Sequence, residues 1–191
     1  MTRLRSSLAV LLLLAPLGFA TGPNSFRPRQ VDWSDTVFVP AWPAGAPMPQ
    51  AVVLRYQRWA SASGRAENVL DQPAGVVFSH CVRMELRIAG GRLLDLSSRE
   101  GHETRWLAAF DGLEDFAGVS ATSLAVEGGE TTTIVIDDPT DIVFFAGLRG
   151  AVPLTIAATG EAGFSGPNGL RQEVDVRAGL RVTVEYLSSA P

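Results

Sequence analysis

Apolar and polar residues alternate with a period of two along most of this chain. Val76, Phe78, His80, Val82, Met84, Leu86 and Ile88 fall on one side of the clearest stretch. Ser79, Cys81, Arg83, Glu85 and Arg87 fall on the other. A half-buried antiparallel strand has this pattern. Gly90-Gly91 then predicts a tight hairpin turn into Arg92–Leu96. Val52, Leu54 and Tyr56 alternate with Val53, Arg55 and Gln57. Ser123–Val126, Glu127–Glu130 and Thr131–Ile136 read as strand, hairpin turn and strand. Ile142–Ala146 is wholly apolar and reads as a short buried strand. Leu154 and Ile156 alternate with Thr155 and Ala157, and Gly160–Gly169 reads as a glycine-rich loop. Val174 and Val176, a turn at Ala178-Gly179, and Val182, Val184 and Tyr186 complete the series. Helical character is confined to Arg105–Phe116. Many short strands with regular turn signals predict an all-β fold, a single antiparallel β-sandwich or jelly-roll-like domain.

The N-terminus departs from this pattern. Arg3 and Arg5 precede the apolar run Leu8–Ala15, and Gly18-Phe19-Ala20 places small residues at a cleavage site. Residues 1–20 therefore read as a signal peptide. The run is too short to cross a bilayer, which takes about 20 residues. Residues 21–34, with Pro23 and Pro28, read as a polar leader, and 35–191 as the sandwich domain. Pro40, Pro43, Pro47 and Pro49 make residues 40–49 a rigid irregular connection. The expected location is extracytoplasmic, with no transmembrane segment after cleavage.

Composition narrows the function. All 16 basic residues are arginine, so Schiff-base and Ser-Lys chemistry are excluded. A net charge of −4 without a basic cluster argues against nucleic acid. Cys81 is the only cysteine, so no intramolecular disulfide exists, and the chain is long enough to be held by its core.

Four segments carry a resemblance. Leu107-Ala108-Ala109-Phe110-Asp111-Gly112 is followed by Asp115-Phe116-Ala117-Gly118-Val119-Ser120, an AFDG…DFxGxS pattern. Asp141–Gly147, the closing Val182-Thr183-Val184-Glu185-Tyr186 and the pair Glu67-Asn68 accompany it. Over roughly residues 35–187 the chain resembles the choice-of-anchor E domain, a family of exported bacterial β-domains. It departs from the family at Arg149, where a second glycine is usual, and at Ser188, where an aromatic is usual. The family's variable C-terminal anchors have no counterpart in Leu187–Pro191, so the expectation is a released or loosely held protein. The resemblance implies compartment and fold; it brings no catalytic residues.

The candidate chemistry is sparse. Asp111, Glu114 and Asp115 form the densest acidic cluster, and Asp137, Asp138 and Asp141 a second. Their carboxylates suit Ca²⁺, but neither spacing is that of a calcium loop. Each is first a turn in which aspartate bonds its own backbone, with Phe110 and Phe116 in the core beside the first. Two of Asp111, Asp115, Asp138 and Asp141 would serve a glycosidase-like hydrolase if correctly separated. His80 falls on the apolar face and Cys81 on the opposite one, so they form no dyad. His102 reads as part of a polar turn, Glu100–Glu103. Trp33 and Trp42, in irregular segments, are the candidate sugar platforms, while Trp59 and Trp106 read as filling or rimming the core. The leading expectation is a non-enzymatic protein acting through its surface on cell-surface or matrix components. The alternative is a carbohydrate-binding module, with or without Ca²⁺.

Overall fold

The computed structural model describes residues 24–88, 91–147 and 150–188. The expected signal segment and Gly90 of the expected turn lie outside them. The described strands form two antiparallel four-stranded sheets packed face to face. In chain order the elements are β1 (Asn24–Gln30), β2 (Trp33–Pro40), β3 (Ala51–Asn68), β4 (Ala74–Ile88), β5 (Leu93–Leu107), β6 (Ala121–Ile136), α1 (Pro139–Gly147), β7 (Ala151–Ser165) and β8 (Leu170–Leu187). One sheet has the order β1-β8-β3-β6 and the other β2-β7-β4-β5. The all-β sandwich expected from the alternation is what forms.

Strand β4 shows how directly the pattern works. Every even residue from Ala74 to Ile88 is buried, and every odd one is half-buried or exposed. Its inward side chains meet those of β3 and β7 in one core that includes Leu54, Phe78, Leu86, Leu154 and Ile156. Phe78 and Phe164 meet at 4.9 Å between ring centroids.

The leader expected over residues 21–34 is largely strand. β1 pairs with β8 and β2 with β7. Between them the chain changes sheets. Val31 N–H donates to Val176 in one sheet and Asp32 N–H to Ala158 in the other. Asp32 adopts a φ of 66°, a left-handed conformation that aspartate tolerates better than most residues.

Two expected turns and part of an expected loop are strand interior. Glu127–Glu130 lies within the unbroken β6 and Ala178-Gly179 within β8; of the loop expected at Gly160–Gly169, Gly160–Ser165 lies within β7 and residues 166–169 form the connection to β8. The glycines there answer close approach rather than turning. The Arg99 guanidinium occupies the space a Gly128 side chain would need. Trp59 of β3 pairs with Gly129 on one side and Gly179 on the other, and Gly179 is buried.

The expected strand Ile142–Ala146 is the body of α1. Asp138 accepts from Thr140 N–H at 2.8 Å, and its carbonyl from Asp141 and Ile142 N–H at 3.0 Å. Asp138 is thus the N-cap, with Pro139 at the first helical position. The helix covers one end of the sandwich through buried Ile142 and Phe145. Strand pairing was unavailable to this segment because it runs between the two sheets.

Candidate functional site

The two acidic clusters lie at opposite ends of β6. A 16-residue strand spans roughly 50 Å. No carboxylate of the first cluster can therefore approach one of the second at the ~5–10 Å that glycoside hydrolysis uses. Within the first, Asp111 accepts from Leu113 N–H at 3.1 Å and Asp115 from Ala117 N–H at 2.9 Å. Glu114 pairs with Arg171 at 3.5 Å. Within the second, Asp137 is exposed, Asp138 caps α1, and buried Asp141 is ion-paired to Arg92. The Thr140 hydrogen bonds hold the Asp138 carboxyl below its usual range. Among the described residues no three His, Cys, Asp or Glu side chains converge as a metal site.

Residues 108–120 instead form a closed loop. Ala108 N–H donates to Val119 at 3.0 Å, and Phe110 N–H to Leu70 at 2.7 Å. Glu67 and Asn68, at the end of β3, hold it in place. Glu67 is fully buried, although its parity turns it outward, because this loop folds over it. Its carboxyl accepts from Phe116 N–H at 2.9 Å and from the Ser120 hydroxyl at 3.5 Å. The Asn68 amide donates to the carbonyls of Gln72 and Ala108 and accepts from Leu70 N–H. Phe110 and Phe116 are half-buried rather than in the core, and the Arg65 guanidinium lies 5.0 Å above the Phe116 ring.

Of the tryptophans, Trp33 and Trp42 are not the exposed pair expected. Trp33 packs against the core under the Arg29 guanidinium. Trp42 donates its Nε1–H to Pro47 and packs on Tyr186, whose hydroxyl bonds the Pro40 carbonyl. The open indole is Trp106, 78% exposed on the outer face of β5. Three of its ring atoms lie 3.7–3.8 Å from where a Gly75 side chain would begin. The ring thus lies flat across Gly75, its cross-strand partner, with one face toward solvent. β5 is an edge strand whose outer face no described element covers, and the lack of a side chain at 75 lets the ring lie down.

The same outer face carries a groove of about 720 Å³, the size of a ligand site. Register explains it. Cys81 pairs with Glu100 on one side and Glu161 on the other, and Ser79 with His102. At Cys81 the flanking residues are larger on both sides, and at Ser79 His102 stands on one side and Gly163 on the other, so a trough forms that opens toward β7. His102 therefore stands mid-strand and exposed, not in a turn. Cys81 is half-buried at the trough's floor.

His80 faces the interior beneath the trough. Its ring stacks 6.0 Å from Phe78 and lies across Gly101, and its Nδ1 is buried with no hydrogen-bond partner. Burial, and then the Arg99 charge, lower its pKa below the usual 6.5. Between that lowered value and 6.5 the unfolded chain binds a proton that the folded chain refuses. Stability should therefore fall as pH drops through this window. His80→Phe should flatten the melting-temperature profile between about pH 7.5 and about pH 5. Parallel profiles for the two proteins would refute the assignment.

Comparison of the chain with protein-family models and with curated proteins found no match.

Proposed function

We propose that this is an exported β-sandwich protein that acts through its surface, in association with the cell envelope or extracellular matrix, and catalyses no reaction. The observation that carries the reading is the sandwich itself, whose outward sheet face bears a trough and a bare indole. The ordered charge, apolar run and small-residue site of residues 3–20 support export. The resemblance to choice-of-anchor E domains supports the same compartment. Its motif residues Glu67, Asn68, Phe110, Phe116 and Ser120 belong to a single loop anchorage, so they have a joint structural reason to occur together.

The test is fractionation of bacteria producing the full chain with a C-terminal tag. The expected product begins at Thr21, lies outside the cytoplasm and cosediments with purified envelope or matrix. Cytoplasmic protein that retains Met1 would overturn the reading. So would hydrolase turnover abolished by replacing one of Asp111, Asp115, Asp138 or Asp141.

A further inference from the structure

We infer that the outer face of the β2-β7-β4-β5 sheet, from Trp106 along the Ser79–His102 trough to Glu161, binds a neutral oligosaccharide. The inference rests on the surface-acting role and names its ligand. A pyranose presents C–H bonds on its flat faces and hydroxyls around its rim. The flat face needs an accessible aromatic plane, whose quadrupole makes its surface negative. Trp106 supplies one, held down on Gly75 and open to solvent. The rim needs closely spaced donors and acceptors. Ser79, His102, Glu100, Glu161 and Ser165 line the trough and provide hydroxyl, imidazole and carboxylate groups. Hydrogen bonds from sugar hydroxyls to carboxylates are of the stronger, charge-assisted kind.

Geometry sets the ligand's length. Trp106 and His102 are four residues apart on one strand face, about 13 Å. One sugar ring cannot reach both, so the site takes a chain of rings laid along β5.

Charge sets the ligand's character. No arginine lines the trough, while Glu100 and Glu161 do. Within the trough, phosphate, sulfate and uronate groups would meet two carboxylates, while the outward Arg83 stands beyond Cys81, paired with Ser98 and Thr159. A bare divalent ion is not favoured either, because no three ligating side chains converge among the described residues. A protein partner would need an apolar centre within an interface of about 1,000 Å² or more. Beside Trp106 this stretch of β4 and β5 turns only half-buried Val77 outward.

The experiment uses the full mature chain on a printed array of neutral and acidic oligosaccharides, followed by calorimetric titration with the best neutral compound. Binding to neutral oligosaccharides is expected, with trisaccharides or longer preferred over monosaccharides. Trp106→Ala should weaken it at least tenfold with the melting temperature unchanged. Ser79→Leu, which fills the trough, should do the same, while Arg55→Ala on the opposite sheet should leave binding intact. A silent neutral array, binding confined to acidic glycans, or affinity untouched by Trp106→Ala would each overturn the inference. A silent array with retained envelope or matrix cosedimentation sinks the glycan site alone. Cytoplasmic retention sinks the surface-acting reading itself.

Discussion

Asn68→Ala is expected to lower the free energy of unfolding by about 3 kcal/mol. Asn68 is 1% exposed and serves three backbone groups on two different loops. Its amide holds the Gln72 and Ala108 carbonyls, and its carbonyl oxygen holds Leu70 N–H. Alanine leaves Ala108 C=O and Leu70 N–H without their partner at half-buried positions. Each such orphan costs about 1–3 kcal/mol, more than the hydrogen bond itself contributed. The melting temperature should fall by about 10 °C for a domain of this size. Amide exchange should rise first at residues 69–73 and 108–120. Asn68→Asp retains the acceptor for Leu70 but turns a second oxygen toward the Gln72 and Ala108 carbonyls at a buried place, so it should cost at least as much as alanine. A loss below about 1 kcal/mol for the alanine variant would mean that the loops are held by other contacts.

Gly64→Val should cost a similar amount, about 3 kcal/mol, for an unrelated reason. Gly64 faces inward from β3, and its missing side chain leaves room for the Phe78–Phe164 pair. A Cβ there would stand 2.7 Å from the Phe164 ring, 3.0 Å from the Phe78 ring and 3.3 Å from the Glu173 carbonyl. One of those contacts is backbone and cannot move away. Two rings packed at 4.9 Å in a full core have little free space to retreat into. Chemical denaturation should show the loss as a lower midpoint with an unchanged slope. Phe164→Leu in the Gly64→Val background should recover part of it, because the two changes meet in one space. Strictly additive losses would show that the clash lies elsewhere.

These two residues mark what was legible in advance. Glu67-Asn68 stood out as a pair, yet nothing in the chain said what it held, since its partners lie about 40 and 50 residues away. Gly64 gave no signal at all within an alternating stretch. The other glycines signalled too much. At Gly128-Gly129 and Gly179 the reading of a turn assumed that glycine is present for positive φ, but none of the three has it. The Arg99 guanidinium lies across Gly128, the Arg58 carbonyl and then Trp59 approach Gly129, and Gly179 pairs with Trp59; a cross-strand neighbour is invisible until register is known. The helix at Pro139–Gly147 was legible and misassigned. Asp138-Pro139 with Asp141 is a helix start, outweighed in the reading by the five apolar residues that follow.

The candidate site divides in the same way. The parity of β4 already placed His80 inward and Ser79 and Cys81 outward. It did not say which strands would flank them, and so could not assemble Glu100, His102 and Glu161 around that floor. Trp33, Trp42 and Trp106 differ from expectation, while Trp59 is half-buried. Trp33 and Trp42 come from segments that look loose but pack under Arg29 and against Tyr186. Trp106 belongs to a strand and is bare because that strand is the edge of its sheet.

By itself the sequence determined the period of two, the buried side of each well-patterned strand, and hence a sandwich, because alternation is a local consequence of strand geometry. Tertiary structure alone decided how long each strand ran, which glycines lay beneath a side chain, and which indole faced water. Those depend on the neighbours that pairing supplies, and pairing joins residues tens to more than a hundred positions apart.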